Sequence, residues 1–260
     1  MLTLPRPILI LVSLFHEKLF AFFIKYTSNY LTLPLFTGYT HHKKGDYEGA
    51  IEACQECLRL QRDVLGDKHE EVATTLNRLG LAFIKLERRY IALQVLGEAY
   101  KIRKEMLKPD LQELALTLYN IALIYHKEGD TKKSLTFYLE TSYTERNLLG
   151  QGHQDLSITY FNIGQIYFHS GQLYDALTYF EACLKIERHC FGANHLACAR
   201  TLNEIGNVHL QLGDIRALMD YYSKALRIYQ EAEDEDQQLV VVGLRLWRFE
   251  LVQSKAAPMA

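Results

Sequence analysis

An all-α solenoid of helical hairpins is the fold class that this sequence predicts. Three observations carry it: a 42-residue period, apolar residues at helical spacing inside each period, and Gly or Asp at the phases where one helix ends and the next begins. Thr75, Thr117, Thr159 and Thr201 stand 42 residues apart and head the related phrases TLNRLG, TLYNIA, TYFNIG and TLNEIG. One period earlier Leu33 heads the more divergent LPLFTG, so five units are expected, at 33–74, 75–116, 117–158, 159–200 and 201–236.

Each unit reads as helix A, a tight turn and helix B. On helix A, Leu76, Leu79 and Phe83 recur as Leu118, Ile121 and Tyr125, and then as Tyr160, Ile163 and Tyr167, the spacing of one buried face. Five residues after the Thr phase come Gly38, Gly80, Ala122, Gly164 and Gly206. Gly inside a helix costs about 1 kcal/mol relative to Ala, so a compensating close approach of a neighbouring helix is expected there. Gly45, Gly129, Gly171 and Gly213 then mark the turn, with Asp46, Asp130 and Asp214 as caps of helix B. The second unit has Glu87-Arg88-Arg89 instead, which predicts a less regular turn.

On helix B a small residue at Ala50, Ala92 and Ala176, replaced by Ser134 and Leu218, precedes Cys54, Leu96, Tyr138, Phe180 and Tyr222 by four positions. Gly66, Gly150 and Gly192 end that helix, and Asp67 with Glu70 fits a capping box for the next. Helix A should run to about 14 residues and helix B to about 18. One hairpin cannot bury both of its apolar faces, whereas a stack of five can.

Composition narrows the function. The 260 residues are 48% hydrophobic with only 15 Gly and 5 Pro, which excludes collagen-like and wholly disordered chains. A net charge of −2 and a pI near 6.6 argue against a nucleic-acid binder. Five cysteines form an odd, irregular set, and no N-x-[ST] acceptor is present, so a reducing, cytoplasmic setting is favoured over a secreted disulfide scaffold.

No catalytic, cofactor or metal site is expected. HEKLF and HEEVA lack the second His of a zinc-protease helix, GQGHQD lacks the last Gly of a dinucleotide loop, and neither a Walker nor a G-x-S-x-G phrase occurs. Cys54 and Cys57 form a CxxC, but their phase is that of core residues in other units. His69, His153 and His195 recur at the linkers between units, where capping or packing explains them, and Cys183, Cys190 and Cys198 are spaced irregularly for zinc.

The pattern resembles the tetratricopeptide repeat. Its period of 42, LGxxH linkers and TLNNLA-like openings look like the kinesin light chain subclass, over residues 33 to 236. Glu70, Gln154 and Leu196 stand where that family usually has Pro after the linker His. The resemblance implies a right-handed α-solenoid whose helix A faces, turned away from helix B, line a concave groove for a protein or peptide. Carried over by phase, that groove comprises Asn77, Leu81, Ile84 and Lys85, then Tyr119, Leu123, His126 and Lys127, then Phe161, Gln165, Phe168 and His169, and finally Asn203 and Asn207. Lys43, Lys85 and Lys127 form a basic ladder at successive helix ends, either simply solvated or attracting carboxylates. Kinesin light chains take acidic, aromatic-bearing peptides, so a non-enzymatic scaffold or adaptor with such a partner is the leading expectation. The alternative is the regulatory or targeting part of a larger enzyme or membrane-associated complex.

The two ends differ in kind. Residues 1–32 hold the apolar runs PILILVSLF and LFAFFI, interrupted by His16-Glu17-Lys18. Three readings stand for them: a leader or poorly ordered segment, a helix packed on the first unit, and a membrane attachment. Residues 237–260 carry Val240 to Val242, Trp247 and Phe249 and are expected to form a capping helix over the last unit, followed by a tail.

Overall fold

The computed structural model of the protein describes residues 45–232. The apolar 1–32 segment, the first helix A with Gly38 and Lys43, and the capping helix expected in 237–260 lie outside the described residues. Within them are nine α-helices and no strand: α1 (Tyr47–Leu65), α2 (Glu70–Lys85), α3 (Arg89–Glu105), α4 (Leu111–Glu128), α5 (Thr131–Leu149), α6 (Gln154–His169), α7 (Leu173–Phe191), α8 (Leu196–Leu212) and α9 (Ile215–Glu231). Odd-numbered helices are the B helices, at 17 to 19 residues, and even-numbered ones the A helices, at 16 to 18. The A helices exceed the expected length because each starts five or six residues before its Thr. The chain forms two compact units, one ending at Ile124 and the other starting at Tyr125, a boundary inside α4.

In three hairpins, α2–α3, α6–α7 and α8–α9, a helix A glycine permits a close approach of helix B, whereas α4 carries Ala122 at that phase. A Cβ on Gly80 would lie 2.6 Å from Leu96 Cγ, and one on Gly164 would lie 2.7 Å from Phe180 Cε1. At Gly206 the same atom would collide with the Tyr222 ring. The large residue of helix B therefore presses directly on the helix A backbone, and Leu96, Tyr138 and Phe180 are fully buried. Full burial of such a side chain contributes roughly 1.5–3 kcal/mol, which outweighs the helix penalty of Gly. In the unit from Tyr125 a second ring contact recurs along the hairpins. Tyr125 stacks on Phe137 at 5.7 Å, Tyr167 on Tyr179 at 5.5 Å, and His209 on Tyr221 at 5.3 Å.

Between one hairpin and the next the contact is partly polar. Thr75, Thr117, Thr159 and Thr201 are fully buried, and fourteen residues before each stands a buried polar residue of the preceding helix B: Gln61, Arg103, Glu145 and Glu187. Thr75 donates to Gln61 Oε1 at 2.6 Å, while Arg103 Nη1 donates to Thr117 Oγ1 at 3.1 Å. Arg103 also donates to Thr74 Oγ1 at 3.0 Å and to Glu113 Oε2 at 3.1 Å. Asn77 closes this network, its Nδ2 donating to Glu113 and its Oδ1 accepting from Thr117 Oγ1 at 2.8 Å. Helices α2, α3 and α4 are thus tied by one buried guanidinium.

The turns correct one expectation. Glu87 does not make a less regular turn: it adopts φ 56°, beside 78°, 76° and 76° for Gly129, Gly171 and Gly213. The bond that closes the turn is conserved in all four, from Arg88 N to Phe83 O, Asp130 N to Tyr125 O, Gln172 N to Tyr167 O and Asp214 N to His209 O, at 2.9–3.0 Å. Helix packing on either side dictates the left-handed geometry, and Glu87 bears the steric cost. Asp46, Asp130 and Asp214 cap α1, α5 and α9 as expected.

The capping box of Asp67 with Glu70 is a second correction. Asp67 pairs with Arg62 at 3.4 Å, and the cap of α2 is His69, whose Nδ1 accepts from Glu71 N at 3.2 Å. His153 and His195 cap α6 and α8 in the same way, at 3.3 and 3.2 Å. The recurrent linker histidines are caps. In the unlike linker, Asp110 Oδ1 accepts from Gln112 N and Glu113 N at the start of α4.

Three outcomes test this account. Glu87→Gly relieves the left-handed strain and raises stability by about 0.5–1 kcal/mol in chemical denaturation. Arg103→Met strands Glu113, which is 29% exposed, and lowers stability by about 2–3 kcal/mol, less than for a fully buried pair. Burial pushes the Glu145 carboxyl from 4.5 up to about 7, with the Thr159 hydroxyl opposing and Asp155 adding to the rise. The folded chain therefore holds a proton that the unfolded chain has lost between those values, so this contribution is complete below pH 4.5 and disappears as pH rises through about 7. Glu145→Gln flattens the decline of Tm between pH 4.5 and about 7.

Candidate functional site

The outward stripe of each helix A begins one residue before the Thr phase and continues at two, six and nine residues after it, spacings of three, four and three. In the unit ending at Ile124 the stripe contains Asn77, Leu81 and Ile84 on α2, with Lys85 at its last position, and Tyr119 with Leu123 on α4. Asn77 is fully buried and committed to Glu113 and Thr117, so its amide serves the fold. Leu81, Ile84, Tyr119 and Leu123 are half-buried, and Lys85 is exposed without an ion pair to any described residue.

The unit from Tyr125 carries the remaining predicted residues. His126 is half-buried, and its burial, reinforced by the His169 charge, holds it below the ordinary histidine range. Lys127 is exposed and likewise unpaired among the described residues. On α6, Phe161 is 6% exposed and meets Phe180 edge-on at 5.6 Å. Gln165 and Phe168 are half-buried, Phe168 meets His169 edge-on at 5.4 Å, and His169 is exposed.

On α8, Asn203 and Asn207 are half-buried. The Asn207 amide is fixed from both ends: Tyr222 Oη donates to its Oδ1, and its Nδ2 donates to Glu204 Oε2 at 3.2 Å. Extending the stripe one turn toward the helix start adds two residues that phase transfer from the Thr position passes over. Ile158 is 48% exposed on α6, and Arg200 on α8 is exposed with its guanidinium carbon 4.2 Å from the centre of the Phe161 ring. The signal was the helical spacing itself, since Ile158 and Arg200 precede Phe161 and Asn203 by three residues.

The cysteines of the described residues other than the exposed Cys190 are held as core thiols. Cys54 and Cys57 are buried, and burial with the neighbouring Cys57 pushes the Cys54 thiol up to about 11. Burial and the Glu187 carboxylate push Cys183 up as well. A reactive thiolate needs the opposite shift. None of the five cysteines is in a disulfide, and the described residues contain no cluster of His, Cys, Asp and Glu suited to a metal ion. No described helix is long and apolar enough to cross a membrane.

Comparison with known proteins gives the fold a family. The tetratricopeptide repeat profile matches residues 35–105, 113–173 and 155–231. No curated protein gives a significant match to the chain. Among solved structures, a Podosopora anserina kinesin light chain-like protein with nearly identical TPR-like repeats is similar at 14% identity and a TM-score of 0.67, over 79% of this chain and 97% of that one. MamA is similar at 17% identity and a TM-score of 0.58, over 79% and 95%. The apo form of RapI is similar at 15% identity and a TM-score of 0.68, over 80% of this chain and 56% of RapI. At these identities the likeness is one of fold. With the family profile spread over most of its length and hairpins of the kinesin light chain-like type, this chain belongs to the tetratricopeptide repeat family.

Proposed function

We propose that the protein is a non-enzymatic scaffold or adaptor that binds an extended segment of a partner protein on its helix A faces. The observation that carries the reading is the stripe on α6 and α8, where Ile158, Gln165, Phe168 and Asn203 stay partly or fully exposed while the opposite face of the same helices is buried. Gln165 and Asn203 offer amides to a peptide backbone, and Phe168 with Ile158 offers apolar surface to a side chain. Lys85 and Lys127, exposed and without an ion pair among the described residues, add positive charge to the A faces of their respective units and favour an acidic, aromatic-bearing segment. Five unbridged cysteines support a cytoplasmic setting.

The test uses the full chain and a labelled, acidic decapeptide containing one tryptophan. Lys85→Glu with Lys127→Glu weakens its binding about tenfold, and more at low salt than at high salt. Unchanged affinity at both salt concentrations overturns the basic-face part of the reading.

A further inference from the structure

We infer that the tyrosine stack of the α6–α7 hairpin, Tyr167 on Tyr179 with Asp175 beside it, is a binding site for the ammonium group of a lysine side chain from a partner protein. Tyr167 stands eight residues after its Thr and so outside the A-face stripe, which makes this site independent of the segment proposed to bind there. Three hairpins of the unit that starts at Tyr125 carry a ring pair at the same two phases, eight and twenty residues after the Thr position: Tyr125 with Phe137, Tyr167 with Tyr179, and His209 with Tyr221. In the first and the last, a lysine of the chain itself covers a ring. Lys133 Nζ lies 4.9 Å from the Tyr125 ring centre and 2.9 Å from Asp130, and Lys224 Nζ lies 5.5 Å from the Tyr221 ring centre and 2.5 Å from Asp220. Carboxylate, ammonium and aromatic face thus recur together in the hairpins before and after α6–α7.

In the α6–α7 hairpin the carboxylate and the rings are present without the ammonium. Asp175 occupies the Lys133 phase and Ala182 the Lys224 phase. Among the described residues no lysine or arginine lies over the Tyr167 or Tyr179 ring. Asp175 is exposed, makes no ion pair with another described residue, and precedes Tyr179 by four positions on α7, so the two share a face. Tyr160 meets Tyr179 edge-on at 5.5 Å and widens the aromatic surface. Burial, then Tyr167, Tyr160 and Asp175, push the Tyr179 phenol up, and Arg146 opposes them. Arg146 is therefore the competing cation, acting on the Tyr179 hydroxyl without covering the ring. A cation over a tyrosine face is attracted by the ring quadrupole, and a nearby carboxylate adds direct charge attraction. The helix dipole favours a carboxylate in the first turn of any helix; beside an uncovered ring pair, that carboxylate also completes a receptor for a cation. Lysine is the matching side chain because both neighbouring stacks use it.

Fluorescence polarisation of the full chain tests the site with labelled, end-capped decapeptides of glycine and serine that carry either three lysines or three glutamines. The wild type prefers the lysine peptide roughly fivefold. Asp175→Lys supplies the missing ammonium from the chain at the phase of Lys133 and removes the preference. Glu181→Lys makes the same change of charge at an exposed position two residues beyond Tyr179, on the opposite side of α7, and lowers the preference less than about twofold at 0.15 M salt. Tyr179→Phe retains the preference because the ring face binds the cation, Tyr179→Leu removes it, and Arg146→Gln enlarges it. Circular dichroism verifies the fold of each variant, and if Tyr179→Leu does not fold, the exposed Asp175→Lys still decides. Equal losses from Asp175→Lys and Glu181→Lys overturn the site in favour of the general field of the chain. A full preference retained by Asp175→Lys, or no preference in the wild type, overturns it outright.

Discussion

In three of its hairpins the structure depends on one steric constraint: a large helix B side chain pressed onto the helix A backbone where no Cβ intervenes. Leu96 against Gly80 and Phe180 against Gly164 set the distance between the two helices of a hairpin. Once that distance is fixed, the stacked rings of Tyr167 and Tyr179 and of His209 and Tyr221 fall into reach farther along the same pair of helices. The tight turn follows as well, since two helices this close must be joined through a left-handed residue. Glu87 shows the hierarchy of these demands, because a residue that disfavours the conformation adopts it nonetheless. Packing governs the turn, and turn composition adjusts only its cost.

The period, the helix types, the aspartate caps and the close-approach glycines were legible in the sequence because each is a local preference repeated at one phase. Glu87 departs from its sequence signal for the complementary reason: its local preference conflicts with the packing, and only the folded neighbours reveal which prevails. Asp67 and Glu70 have the spacing of a capping box, yet the chain is capped at His69, where an imidazole nitrogen reaches the second amide of the helix. Composition alone does not rank two caps separated by two residues.

The binding face was legible as a stripe but not as a set of available groups. Asn77 and Asn203 occupy the same phase, and one is buried in the Arg103 network whereas the other is half-buried on the A face. The difference arises from Glu113 and Arg103, residues ten apart in sequence that meet only when α3 and α4 pack. Arg200 precedes the threonine by one residue and so falls outside a stripe counted from that phase. Its partner Phe161 lies 39 positions earlier, a pairing that no single-helix pattern contains.

The threonine junctions carry an implication for the ancestry of the array. Similar hairpins invite gain or loss of whole units by recombination, and identical junctions would accept any such event. Here the residue that faces the threonine is an amide at Gln61, a guanidinium at Arg103 and a carboxylate at Glu145 and Glu187, all buried. Excising residues 62–103 would bring Gln61 beside Thr117 and leave Glu113 without the Arg103 cation that it pairs with. The Gln61 and Arg103 junctions thereby act as addresses, distinct from each other and from the two carboxylate junctions, so part of the order of the hairpins is written into the core.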